Sequence, residues 1–306
     1  MDKKFLTAVI VCVDYSDYLS VTLPRNRHHF REVLIVTHPS DLRTLSIAVR
    51  HECKTFVTSA FYDDGADFNK WLALELGLDF IGRNRWLCLL DADVIWPDNL
   101  PVDRDYFEVG KLYTPLRRMQ KTLEKEPCPD CNNGWDSYCV PKHTPAYDKP
   151  RHTICEHCLS SGCIVDIPKE DTWNKFPIHS NINEWAGYTQ IFHGADPVLE
   201  SNRHWHQTNW KHAGGADSFF QQKWAKENKI RPPFEVLHLG EAGKNWCGRV
   251  SPLLCGEDVQ GAADNEERMR QLMYNRKKKR LERKGLSVKN SDPSKRYEDP
   301  FAEEKI

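Results

Sequence analysis

The run Trp86-Leu87-Cys88-Leu89-Leu90, followed at once by Asp91-Ala92-Asp93, constrains this chain more than any other stretch. An apolar segment of strand length with no polar alternation calls for burial on both faces, as in a sheet covered by helices on either side. Trp96-Pro97-Asp98-Asn99 reads as a turn, so the two acids sit at the strand's carboxyl end. Open α/β sheets bind their ligands at those ends. Two carboxylates placed there are costly unless paired, solvated or bound to a cation. As hard oxygen ligands they suit Mg²⁺ or Mn²⁺, which can hold a diphosphate at the same time. The plain alternative is a strand-end turn with acidic caps.

The neighbouring segments repeat the pattern. Phe5 to Val13 is a second buried-strand run, ending at Asp14-Tyr15-Ser16-Asp17-Tyr18, and Val33-Leu34-Ile35-Val36 is a third, ending at Thr37-His38. Leu19 to Phe30 has helical character, with Pro24 arguing for a break or a late start. A helix capped by Ser40 or Asp41 follows, then a short strand at Thr55-Phe56-Val57-Thr58. Asp67 to Leu76 carries Phe68, Trp71, Leu72 and Leu76 near helical spacing. Strands alternating with helices predict a doubly wound, mostly parallel sheet.

Taken in order, Asp14-Tyr15-Ser16-Asp17-Tyr18-Leu19 with Thr22-Leu23-Pro24, then Val36-Thr37, Phe68-Asn69-Lys70 and Leu90-Asp91-Ala92-Asp93 resemble the nucleotide-sugar half of a GT-A glycosyltransferase. Gly187-Tyr188-Thr189-Gln190-Ile191-Phe192, Gly214-Gly215-Ala216-Asp217-Ser218-Phe219-Phe220 with Trp224, and His238-Leu239-Gly240 with Asn245-Trp246-Cys247-Gly248-Arg249 resemble the second half. The likeness covers roughly residues 5–250, with one insertion. Each motif alone is weak; their order and spacing carry the resemblance.

The resemblance implies roles. Asp91 and Asp93 hold a divalent cation, Mn²⁺ or Mg²⁺, against the donor diphosphate; Asp93 makes the direct contact, and Asp91 meets the ribose or a metal-bound water. His238 stands where a late histidine ligand falls, although a hydrogen-bonded structural histidine is the ordinary alternative. Asp14, Tyr15, Asp67, Asn69, Lys70, Asp91 and Ala92 form the donor pocket, and Lys244 and Arg249 add positive charge to the diphosphate oxygens. Asp217 is the candidate general base that takes the acceptor's hydroxyl proton. An Asp after two glycines and before an apolar helix also caps well, so a helix N-cap remains open for it.

Cys128-Pro129-Asp130-Cys131 and Cys155-Glu156-His157-Cys158 are two Cys-x-x-Cys knuckles separated by 23 residues. Paired knuckles present four thiolates to one structural Zn²⁺. Cys139, Cys163, His143, His152 and His157 are alternative ligands, and a disulfide pair or a redox dithiol is the alternative chemistry. The 11 cysteines, with no leader and no long apolar run, favour a reducing cytoplasm (that of the host cell if the chain is phage-encoded) and metal over disulfides. Net charge is −1, which excludes a uniformly basic binder, so cationic character is local. Arg117, Arg118, Lys121, Lys142, Lys149 and Arg151 flank or occupy the insertion, and Arg276 to Lys284 holds seven cations in nine residues. Such a run neutralises phosphates or forms a solvated helix face. Trp185, His193, His204, Trp205, His206 and Trp210 either line an acceptor cleft or pack in the core.

The expected architecture is α/β: a GT-A (Rossmann-like), mostly parallel sheet flanked by helices, with a zinc-knuckle insertion. Residues 1–125 form the nucleotide-sugar half, 126–165 the insertion, 166–260 the acceptor half and 261–306 a basic, partly flexible extension. The expected activity is transfer of a sugar, from a UDP-linked donor, to a hydroxyl acceptor. The insertion and basic tail point to DNA, and the pattern resembles phage-type glycosyltransferases of hydroxymethylpyrimidine DNA. The rival readings are a glycan or protein glycosyltransferase whose insertion binds a partner, and a non-catalytic zinc-dependent nucleic-acid-binding protein. A nucleotidyltransferase lacks support, because no glycine-rich, lysine-bearing loop opens the chain.

Overall fold

The computed structural model describes residues 4–121, 123–127, 163–178, 185, 187–199, 204–240, 243–254, 259 and 261–283. Cys128, Cys131, Cys155 and Cys158, the expected zinc ligands, lie outside the described residues, as do Cys139, His143, His152 and His157. In chain order the elements are β1 (Thr7–Val11), α1 (Ser16–Asn26), β2 (Glu32–Thr37), α2 (Leu42–Arg50), β3 (Lys54–Val57), α3 (Lys70–Ile81), β4 (Trp86–Leu90) and β5 (Val94–Ile95). Then come β6 (Leu112–Tyr113), β7 (Leu116–Gln120), β8 (Glu124–Pro127), β9 (Cys163–Asp166), β10 (Thr189–His193), α4 (Ala216–Phe220), β11 (Lys229–Ile230), β12 (Glu235–Leu239) and α5 (Ala262–Arg283).

The main sheet has seven strands in the order β11-β6-β10-β4-β1-β2-β3. β1 pairs in parallel with both β2 and β4, and β2 with β3. β10 enters antiparallel between β4 and β6. The mixed α/β layout agrees with the expected mostly parallel, Rossmann-like sheet. Burial on both faces explains the unbroken apolar strands. Ala8 and Ile10, Val33 and Ile35, Trp86, Cys88 and Leu90 face one cluster with Leu19, Leu23 and Ile47 of α1 and α2. Val9, Leu34, Val36, Leu87 and Leu89 face the opposite cluster with Trp71, Leu74 and Leu78 of α3 and Phe220 of α4. α3 lies so close to β2 that a Cβ on Gly77 would stand 2.6 Å from Val36 Cγ2, so only glycine fits there unmoved.

Local expectations held with shifted ends. Asp41 caps α2, accepting from Thr44 N at 3.0 Å. The expected helix from Asp67 begins instead at Lys70, because the Asn69 side chain caps it by accepting from Leu72 N at 3.0 Å. α1 starts earlier than the proline suggested and carries Pro24 in its last turn. The fully buried Leu19 and Leu23 hold that helix to the sheet, and tertiary packing outweighs the lost backbone donor.

A smaller sheet, β5-β12-β7, stands beside the first, with β12 antiparallel to β5 and parallel to β7. β8 and β9 pair antiparallel, with Pro127 opposite Cys163. This two-stranded stem brings together the two chain ends that flank residues 128–162, inside the expected insertion boundaries.

Candidate active site

The strand order reverses between β1 and β4: β2 and β3 lie on one side of β1, and β4 lies on the other. Open α/β sheets have their binding crevice at such a switch point, beyond the strands' carboxyl ends. Asp14 and Tyr15 leave β1 there, and Asp91 to Asp93 leave β4. α1 grips the second loop through two buried side chains one turn apart. Thr22 Oγ1 donates to the Ala92 carbonyl at 2.7 Å; Asn26 Nδ2 donates to the Val94 carbonyl at 2.7 Å, and its Oδ1 accepts from Trp96 N at 2.9 Å. Ala92 therefore anchors the loop through its carbonyl. Thr22 entered the sequence reading only within the Thr22-Leu23-Pro24 motif, with no role assigned, and Asn26 did not enter it; polar residues at helical spacing in a buried helix were the available signal.

β12 brings the next residue. His238 pairs with Val94, and Leu239 N donates to the Asp93 carbonyl at 2.8 Å. This places His238 Nε2 3.6 Å from Asp93 Oδ1, too far for a hydrogen bond. Asp93 Oδ1 and His238 Nδ1 are both buried and have no hydrogen-bond partner among the described residues. Burial, then the charge of Asp91, pushes the Asp93 carboxyl up to about 7, against Lys70 and Arg117. Burial, then Arg117, pushes the His238 imidazole down to about 3, so it is neutral at neutral pH with a lone pair to give. An unpartnered carboxylate oxygen facing the Nε2 of a neutral imidazole offers the donor types that suit a divalent cation such as Mn²⁺; the imidazole nitrogen left without a partner among the described residues is Nδ1, on the other side of the ring. Among the described residues no group of three or more His, Cys, Asp or Glu side chains gathers around one point. A two-ligand set leaves coordination positions for phosphate oxygens and water, as hard cations are commonly held on phosphorylated substrates.

Asp91 turns to Lys70, whose Nζ is 2.6 Å from Asp91 Oδ1. Burial pulls the Lys70 ammonium down, but Asp91, helped by Asp217 and Asp93, outweighs it and holds the pKa above its ordinary value. Lys70, at the first turn of α3, is thus a fixed positive charge among three acids. Of the two carboxylates expected at the cation, Asp93 faces His238 and Asp91 is committed to Lys70.

Asp217 lies in α4, whose N-cap is Gly215 in the left-handed region (φ 107°) and not the aspartate. Asp217 Oδ2 accepts from Gly187 N, two residues ahead of β10, at 2.8 Å. The loop before α4 is covered by Trp246: a Cβ on Gly214 would stand 2.4 Å from the indole, so glycine is required there. Arg276 of α5 lies over the same indole at 4.7 Å and donates to the Gly214 carbonyl at 3.3 Å.

Several expectations need correction. Arg249 is not available to a diphosphate. Its side chain is fully buried, donates to both Asp17 oxygens at 2.5 and 2.8 Å, and also reaches the carbonyls of Asp14, Ser251 and Pro252. It binds the late segment to α1. Asn69 is likewise spent, on the α3 cap and the Thr208 carbonyl at 2.8 Å. Asp67 faces Arg268 of α5 at 3.5 Å. Tyr15 is half-buried, with its ring 4.5 Å from the Arg249 guanidinium and 5.4 Å from Tyr18, and its hydroxyl meets Asn245 and Ser251. Asp14, held at φ 59° with its N–H on Asp41 Oδ2 at 2.8 Å, and Lys244 remain exposed at the crevice side and the late loop.

Arg117 and Arg118, expected to flank the insertion, are drawn inward, whereas Lys142, Lys149 and Arg151 lie outside the described residues. Arg118 pairs with both Glu235 oxygens at 2.6 and 2.9 Å. Arg117 is buried 4.5 Å over the Tyr188 ring and acts on both Asp93 and His238. Sequence reading missed Arg117 at the site; β-strand alternation with Met119 was the only hint. Trp205 and His206 are core residues: His206 stacks between Trp71 and Phe220, and its Nδ1 lies 2.6 Å from buried Glu75. Trp185 lies under Arg231 at 4.2 Å.

No protein-family model matches this chain, and no curated protein does. Solved structures similar to parts of it include mannosyl-3-phosphoglycerate synthase from Rubrobacter xylanophilus (16% identity, TM-score 0.28, 38% of this chain and 41% of that one). Another is glucosyl-3-phosphoglycerate synthase from Mycobacterium tuberculosis with Mn²⁺, uridine diphosphate and phosphoglyceric acid (17%, 0.28, 38% and 44%). A third is 4-diphosphocytidyl-2C-methyl-D-erythritol synthase from Anaerococcus prevotii DSM 20548 (12%, 0.31, 89% and 100%). The chain spans less than half the length of the two phosphoglycerate synthases. These likenesses are distant, and the chemistry is read from this chain's own side chains.

Proposed function

We propose that this protein is a divalent-cation-dependent glycosyltransferase that moves a sugar from a nucleotide donor, UDP-linked, to a hydroxyl acceptor, the 5-hydroxymethyl group of a pyrimidine in DNA. The observation that carries it is the buried, unpartnered Asp93 Oδ1 standing 3.6 Å from His238 Nε2 at the sheet's switch point beside Lys70.

Asp93 Oδ1 and His238 would hold Mn²⁺ or Mg²⁺, which when bound supplies positive charge to a leaving diphosphate. Lys70, kept charged by Asp91, adds a fixed cation at the same end, and buried Arg117 adds another. Asp14, Tyr15 and exposed Lys244 lie on the nucleotide side. Asp217, anchored through Oδ2 by Gly187, takes the acceptor hydroxyl proton on its other oxygen as the sugar–phosphate bond breaks. The acceptor assignment is supported by α5: its Arg276 rests on the loop that leads to Asp217, and a run of exposed cations follows. The cysteine knuckles are proposed to hold a structural Zn²⁺, closed to substrate.

The test is release of free nucleoside diphosphate from a panel of nucleotide sugars, with Mn²⁺ or a chelator, and with hydroxymethylcytosine duplex present or absent. Release that needs both the cation and the modified duplex is the expected result. No release with any donor would overturn the transferase reading. Cation-dependent transfer to a saccharide but not to the duplex would move the acceptor to glycans.

A further inference from the structure

α5 meets the rest of the molecule along one stripe. Asn265 Nδ2 donates to the Arg249 carbonyl at 3.0 Å, Arg268 faces Asp67 at 3.5 Å, and Arg276 lies on Trp246 and the Gly214 carbonyl. Gly248 makes room for the first contact, since a Cβ there would stand 2.7 Å from the Asn265 amide. The helix is therefore seated against three segments: the one after β12 that holds Trp246 and Arg249, Asp67 ahead of α3, and Gly214 ahead of α4. Arg276 is the last seated residue, close enough to feel the charge of Asp217.

Beyond Arg276 the same face leaves the protein surface. Residues three, four and seven positions further on share a helix face with it. Those residues are Lys279, Arg280 and Arg283, and all three are exposed. Lys277 and Lys278, also exposed, point to other sides of the helix. Cations near a helix carboxyl end complement its dipole, but that effect is confined to the last turn and does not require one cationic face continuous with the site. An interfacial membrane helix needs a broad apolar face opposite its cations. From Lys277 to Arg283 the only apolar residue is Leu281, so discrete phosphates suit this segment better than a lipid surface.

We propose that the Lys279, Arg280 and Arg283 face of α5 is a phosphate rail that holds the nucleic-acid backbone so that a base lies at the Asp217 loop. The proposal rests on the DNA-acceptor reading and specifies how that acceptor is held. Binding through such contacts is salt-dependent, with a slope of log K against log salt of about −0.9 for each phosphate neutralised.

The experiment compares the full chain with two variants, K279Q/R280Q/R283Q and K277Q/K278Q, titrating each with a short plain duplex over a salt series and with anionic phosphatidylserine vesicles. Far-ultraviolet circular dichroism and donor hydrolysis without acceptor check folding and the donor site. The expected result is a salt slope shallower by about 2 to 3 in the triple variant and by less than about 1 in the double variant, with donor hydrolysis unchanged in both. A triple variant that binds duplex like the parent overturns the rail. So does equal loss in both variants, which would mean unspecific charge, or loss confined to vesicles, which would mean a membrane surface. A parent chain that shows the rail's slope yet transfers nothing to hydroxymethylated duplex sinks the acceptor reading and leaves the rail standing.

Discussion

Glu75 lies on α3, one and a half turns after Lys70, and its side chain is fully buried. It accepts from Trp205 N at 3.0 Å and from His206 N at 2.9 Å, meets His206 Nδ1 at 2.6 Å, and pairs with Arg83 at 2.7 Å. Burial alone would raise its pKa; the hydrogen bonds and charges of His206, with Arg83, outweigh burial and lower it from 4.5 to about 2. At about 1.4 kcal/mol for each pH unit, the ionised form contributes about 3 kcal/mol at neutral pH. Because the folded value lies below the unfolded one, this stability is fully present above about pH 4.5 and is lost as pH falls toward about 2. Glu75→Gln imitates the protonated carboxyl in shape and charge. The variant is therefore expected to lose about 3 kcal/mol at pH 7, and parent and variant should converge as acid is added. Urea unfolding followed by tryptophan fluorescence from pH 7 downward measures both curves. A deficit that stays constant across that range would refute the electrostatic account and leave only packing. No deficit at pH 7 would show that the cluster contributes nothing net.

Other outcomes follow from the site. Asp93→Asn and His238→Gln should each weaken Mn²⁺ binding by about tenfold to a hundredfold, read by isothermal titration, with the far-ultraviolet circular dichroism of the parent retained. Asp217→Asn should cut kcat by about 10²- to 10⁴-fold with little change in donor KM; an equal loss in donor binding would mean that the residue shapes the pocket instead. Asp17→Ala should cost about 3 to 5 kcal/mol by stranding the buried Arg249 charge, a loss seen in denaturant. If Arg249 acted on the diphosphate instead, its removal would raise donor KM with stability intact.

The strand-and-helix alternation, the double burial of β4 and the place of its two acids were legible in the sequence because each signal is local. Periodicity, caps and turns act within a few residues, so Asp41 and the end of β4 were placed correctly. Even the error at Asn69 was local: a residue assigned to the donor pocket proved to be the α3 cap. Partner choice across the chain was not legible. Nothing near Arg249 shows that Asp17 will consume its charge, and nothing near Arg117 shows that it will be buried beside Asp93. Those outcomes depend on which strands become neighbours. β12 adds to β5 and β7, and that pairing carries His238 to Asp93 and turns Arg117 inward. Sequence by itself determined which residues could do chemistry and at which end of the sheet. Tertiary structure decided which of them remain available, because a buried charge is committed to whichever opposite charge the fold places against it.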